Sequence, residues 1–199
     1  MSTTAPNLPT ETTTERPAHR RGLRPTLATA GSLLAATSVA AELIHPIQAP
    51  DGSTTQPLVL ALYVSAWTIG WTLVAVGGLL RQAQHTTRRR SPATGRRLVA
   101  TGAVALALSG AGQVITILTG TPTDAMFALF LLGLPLLIAG CVVSSLALRS
   151  TSRAAAVSYA IAALGLLVAL VSEADPFHDI GLIGGLIALA TVRVPPATR

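Results

Sequence analysis

Apolar runs alternate along the chain with short polar stretches that hold nearly all of its charge. Six runs, at 25–44, 57–80, 98–118, 125–148, 154–171 and 176–194, are dominated by Ala, Leu, Val, Ile and Gly. A bilayer's hydrocarbon core takes about 20 apolar residues of helix, and the first five runs meet that length. The sixth is the weakest, because its uncharged part, 180–192, covers only about 20 Å at 1.5 Å per residue. Arg193 then has to snorkel toward head groups. The pattern predicts an all-α membrane protein, a six-transmembrane-helix bundle over 23–195. A Thr-, Pro-, Glu- and Arg-rich tail at 1–22 is too polar to bury a core and reads as disordered; 196–199 is a short end.

Composition removes the soluble alternative. Of 199 residues, 50% are hydrophobic and 11% charged, against about a quarter charged in soluble domains. All fourteen basic residues are Arg, a bias that points to a GC-rich bacterial coding sequence. A net charge of +6 would suggest nucleic acid in a soluble chain, since clustered Arg neutralises phosphates. Here the Arg residues fill loops without interleaved aromatics, so no nucleic acid is expected. Cys141 is the one cysteine and forms no disulfide within the chain.

The distribution of charge gives an orientation. Arg16, Arg20, Arg21 and Arg24 precede the first run, and Arg81, Arg88, Arg89, Arg90, Arg96 and Arg97 fill the loop after the second. Arg149 and Arg153 bracket the loop after the fourth, and Arg193 and Arg199 close the chain. With six spans every Arg falls on one side, which the tendency of Arg-rich short loops to stay inside makes cytoplasmic, with both termini. Six of the eight acids, Glu42, Asp51, Asp124, Glu173, Asp175 and Asp179, fall on the other side. The bacterial cytoplasmic membrane is the expected location. A competing reading makes the first run a cleaved signal, with Ser38-Val39-Ala40 as the small-residue site; Pro25 weighs against it.

Small residues and one proline bear on packing. Gly181 and Gly185 form a GxxxG, and Gly110-Ala111-Gly112 lie in the third run; such residues let helices approach closely in lipid and permit self-association or a membrane partner. Pro135, mid-run, removes one helical hydrogen bond and predicts a kink.

Two groups of residues carry candidate chemistry. Glu42 and His45 end the first run three residues apart, and Asp175 and His178 repeat that spacing at the start of the sixth, with Glu173 and Asp179 beside them. A carboxylate and an imidazole at i and i+3 are the ligand arrangement of di-metal helical bundles. The six residues form a candidate metal or proton site, provided the first and last spans are neighbours. N-capping and the helix dipole explain the same acids without a ligand. The second group is Tyr63, Trp67 and Trp71, four residues apart on one helix face, with Gln113 at similar depth. A buried Gln113 amide is expected to pair with Tyr63 or Glu42. Glu42, Tyr63, Trp67 and Gln113 would together line an outward pocket for an apolar or cationic ligand.

The Arg-rich loop at 81–97 is expected to attract anionic lipid head groups, at about 1 kcal/mol per basic residue. There is no phosphate-cradling Gly-rich loop, HExxH, CxxC or GxSxG, and no acid in the middle of a run. An ion-coupled pump with a midplane carboxylate is therefore disfavoured, and no cofactor is implied.

The first span's Leu43-Ile44-His45-Pro46, followed by a second span closing on Leu79-Leu80-Arg81-Gln82, resembles small multi-span bacterial integral membrane proteins of uncharacterised activity. The resemblance implies a membrane bundle and transfers no site residue. The sequence thus points first to a non-enzymatic structural or accessory membrane component. A small-solute permease or sensor and a membrane-embedded metalloenzyme stand as alternatives.

Overall fold

In a computed structural model, the described residues are 19–44, 56–82, 90–121, 124–172 and 177–192. They form six helices and, among the described residues, no strand: α1 (His19–Ile44), α2 (Pro57–Gln82), α3 (Arg90–Thr119), α4 (Asp124–Leu148), α5 (Arg153–Val171) and α6 (Phe177–Ala190). Five helices are long and apolar enough to cross a membrane, and α6 is a shorter apolar helix. The chain is a multi-pass helical membrane protein.

Side-chain distribution agrees with a lipid surround. On α5 the buried positions are mostly Ala, with Tyr159 and Leu166, while Val157, Ile161, Leu164 and Val171 are exposed. Large apolar side chains outside and small ones inside is the reverse of what water selects. In lipid, apolar burial gives helices little drive to associate, so close backbone packing takes its place.

Each helix packs against its neighbours in sequence, and α6 packs against α1, while among the described residues no other pair of helices brings its backbones close together. The six helices therefore form a closed ring of three antiparallel hairpins. In each hairpin glycines bring backbones together. A Cβ on Gly102 (α3) would stand 2.8 Å from the Gly133 carbonyl oxygen (α4), and one on Gly165 (α5) 2.7 Å from the Gly185 nitrogen (α6). Gly31 (α1) and Gly70 (α2) meet in the same way. The Gly181/Gly185 pair, expected to let helices approach closely, packs on α5 within the chain.

The ring is filled rather than hollow. Trp71, Leu106, Leu134, Leu137, Cys141, Leu166 and Leu186 are fully buried, in one apolar cluster that joins all six helices. Hydroxyls and one imidazole stitch the walls. Ser109 Oγ donates to the Met126 carbonyl at 2.8 Å, Ser145 Oγ to Ala156 at 2.8 Å, and Thr29 Oγ1 to Ala190 at 3.2 Å.

Helix boundaries depart from the hydropathy pattern at three places. The first and third helices begin at His19 and Arg90, several residues before the apolar runs at 25 and 98, so 19–22 are helical instead of tail. Arg and Leu are good helix formers in any solvent, and Pro92 sits in the first turn where proline is tolerated. Hydropathy marks the membrane boundary, whereas backbone hydrogen bonding continues past it. The last helix ends at Ala190, short of 194. Thr191 and Val192 close it with tighter i−3 bonds to Ala188 and Leu189. Pro135 lies inside α4, which runs through it without a break.

Local signals explain other ends. Ser152 caps α5, its side chain accepting from the Ala155 N–H at 3.4 Å. Gly120, at φ 70°, follows α3 in the left-handed region, and its N–H reaches the Thr116 carbonyl at 2.8 Å.

Candidate functional site

The antiparallel ring has two ends. Helices α1, α3 and α5 start at the Arg-rich end and finish at the other, where the described acids Glu42, Asp124 and Asp179 lie.

At the acidic end, Glu42 is half-buried in the last turn of α1, and His178 and Asp179 are half-buried in the first turn of α6. The two helices pack against each other. From the Thr29 to Ala190 hydrogen bond, Glu42 lies about thirteen residues along α1 and Phe177 about thirteen back along α6, about 20 Å in each case. The two helix ends are level, and the adjacency of first and last helices that a shared site requires is present.

His178 Nδ1 donates to the Ala169 carbonyl of α5 at 2.6 Å, which leaves Nε2 as the ring atom for a proton or a metal. His45, Glu173 and Asp175 lie outside the described residues. Among the described residues, no group of three or more His, Cys, Asp or Glu is placed to hold a metal ion.

The aromatic group is only partly assembled. Trp67 and Trp71 meet edge to face, with ring centroids 5.4 Å apart and planes at 79°. Trp71 is fully buried and its indole Nε1 has no partner, while Tyr63 and Trp67 are half-buried. Gln113, expected as a buried amide, is instead exposed. The neighbouring Gly112 is the residue that faces α4, packed on Met126. One residue further on, about 100° round the helix, Gln113 points away, so the expected pairing that would bring it into a pocket is not made.

A third place was not singled out by motif. At the Arg-rich end the ring opens into a cavity of about 50 Å³, with Thr29 and Ser32 of α1, Val74 and Gly78 of α2, Arg96 of α3 and Tyr159 of α5 in its wall. Arg96 is half-buried, its Nε is shielded from solvent, and that nitrogen has no hydrogen-bond partner. Ser32 is 1% exposed. The sequence holds a signal for this placement. Arg96 shares a helix face with Val99, Ala100 and Ala103 at i+3, i+4 and i+7, which turns it toward the core while Arg97 is exposed.

Compared with known protein families, curated proteins and solved structures, the chain matches none. The roles of these residues rest on their chemistry and placement alone.

Proposed function

We propose that the protein is a six-span, non-enzymatic component of a bacterial cytoplasmic membrane, with an accessory or structural role and both termini in the cytoplasm. The observation that carries this reading is the filled ring. Trp71, Leu106, Leu134, Leu137, Leu166 and Leu186 occupy its centre, which leaves no polar path from one end to the other through these helices. Antiparallel packing of α6 on α5 supports the sixth crossing. His178 meets Ala169 near one end of α5, and Thr191 meets Ser158 near the other, so α6 returns along most of the helix before it.

Reconstitution tests the reading. Vesicles containing the purified protein are expected to be no more permeable to small polar solutes, amines or ions than empty vesicles. Protein-dependent, saturable uptake of any of these would replace it with the permease reading.

A metal site at the acidic end is the second reading, favoured by the adjacency of α1 and α6 and by the His178 ring held through Nδ1. Glu42, His45, Glu173, Asp175, His178 and Asp179 would be its ligands. Metal content of the purified protein by mass spectrometry decides it. Near-stoichiometric metal that is lost on replacing His45 and His178 together by Ala would establish the site; metal-free wild type would remove it.

A further inference from the structure

The cavity at the Arg-rich end carries an unbalanced charge. Arg96 lines it with a shielded Nε that has no partner, although a buried guanidinium N–H is costly to leave unpaired. None of the described residues lining it is acidic. Every acid among the described residues lies at the opposite end, on the last turn of α1 and the first turns of α4 and α6. Guanidinium is a fork of N–H donors with no acceptor, matched to planar or tetrahedral oxyanions. The Ser32 hydroxyl adds a further donor in the same wall.

Size limits the occupant. A volume of about 50 Å³ compares with about 10–15 Å³ for one water, so the space takes a few waters or one oxyanion group and excludes a nucleotide. The exposed Arg97 beside Arg96, Arg149 in the α4–α5 connection and Arg153 at the start of α5 add positive potential that concentrates anions at this face. From these observations we infer that the inner end of the ring is a binding site for a single phosphate-type oxyanion, held by Arg96 and Ser32. It is supplied either as free phosphate or as the head of an anionic phospholipid whose chains stay in the bilayer.

Binding is read on the full-length protein. Thermal unfolding in a zwitterionic detergent, with phosphate against chloride at matched ionic strength, reports the free ion. Native mass spectrometry from nanodiscs of phosphatidylcholine with and without phosphatidylglycerol reports a retained lipid. Phosphate-dependent stabilisation places free anion in the site, and selective retention of phosphatidylglycerol places a head group there; either supports the assignment. Arg96→Gln is expected to weaken the response by at least about tenfold, and Ser32→Ala to weaken it less, while Arg97→Gln leaves it within about twofold. Should Arg96→Gln fail to fold, Arg96→Lys and Ser32→Ala carry the test, the lysine retaining charge without the fork. No response to either probe in the wild type, or a response that these variants leave unchanged, overturns the site.

Discussion

Thr29 near the start of the ring and Ala190 at the end of α6 are joined by a hydrogen bond, Oγ1 to carbonyl at 3.2 Å, across 161 positions of sequence. It joins the first helix to the last and so closes the six helices on themselves. In water such a bond is exchanged against solvent; in a bilayer the alternative partners are few, yet measured interhelical bonds still average only about 0.6 kcal/mol. The closure is therefore a matter of packing with a polar latch, and the latch is measurable by itself.

Thr29→Val keeps the shape and removes the donor. The expected loss is about 0.6 kcal/mol and no more than about 1.7 kcal/mol, read as a lower unfolding midpoint in detergent. A loss above that range would mean that the α1–α6 seam depends on the bond rather than on packing.

Gly165 and Gly184 make a matched pair of tests. A Cβ on Gly165 would meet backbone atoms of Gly181 and Gly185 at 2.7–2.8 Å, whereas one on Gly184 meets nothing within 4 Å. Backbone cannot move aside cheaply, so Gly165→Ala is expected to cost about 1–3 kcal/mol by overpacking. Gly184→Ala is expected to be neutral or to stabilise by up to about 1 kcal/mol through helix propensity. Equal melting temperatures for the two variants would contradict the observed α5–α6 contact.

At the centre, Trp71 sets size against polarity. Its indole is fully buried with Nε1 unpaired, so the ring contributes by filling space while its N–H opposes burial. Trp71→Phe removes the unpaired donor with most of the aromatic body kept, and is expected to change stability by less than about 1.5 kcal/mol. Trp71→Ala opens a cavity and is expected to cost about 3–5 kcal/mol. Chemical unfolding in mixed micelles separates the two; a larger loss for Phe than for Ala would refute the packing role.

How much of this was legible depends on which property each feature obeys. Hydropathy predicted six spans, and five of the helices are long and apolar enough to cross, because a bilayer demands length and apolarity and little else. Helices α1 and α3 begin before the apolar runs because Arg20, Arg21, Arg96 and Arg97 are polar to lipid but good residues for a helix. The Trp67 and Trp71 contact followed from four-residue spacing. Gln113 did not, since depth says nothing about the side of the helix on which a residue lies, and Gly112 took the inward position. Arg96 was read as one charge of a cytoplasmic loop. Its inward aim became visible only against the small, buried Ala100 and Ala103 on the same face. Of the six candidate metal ligands, Glu42, His178 and Asp179 are among the described residues and lie at the level of one ring end, but they are not grouped to hold a metal ion.

The sixth helix decides the side of the membrane on which the chain ends. From Phe177 to Ala190 it has 14 residues, about 21 Å of helix against a hydrocarbon core of about 30 Å, so it crosses only with its flanks inside the interface or with local thinning. The topology can be mapped on a Cys141→Ala background, which removes a thiol that is fully buried in any case. Single cysteines are then placed at the exposed Thr121 after α3, at the exposed Thr151 between α4 and α5, and at Arg199. In intact cells, a membrane-impermeant maleimide is expected to label Thr121→Cys, and to label Thr151→Cys and Arg199→Cys only after permeabilisation. Labelling of Arg199→Cys without permeabilisation, with Thr151→Cys still protected, would show that α6 does not cross. The chain would then have five spans and its termini on opposite sides.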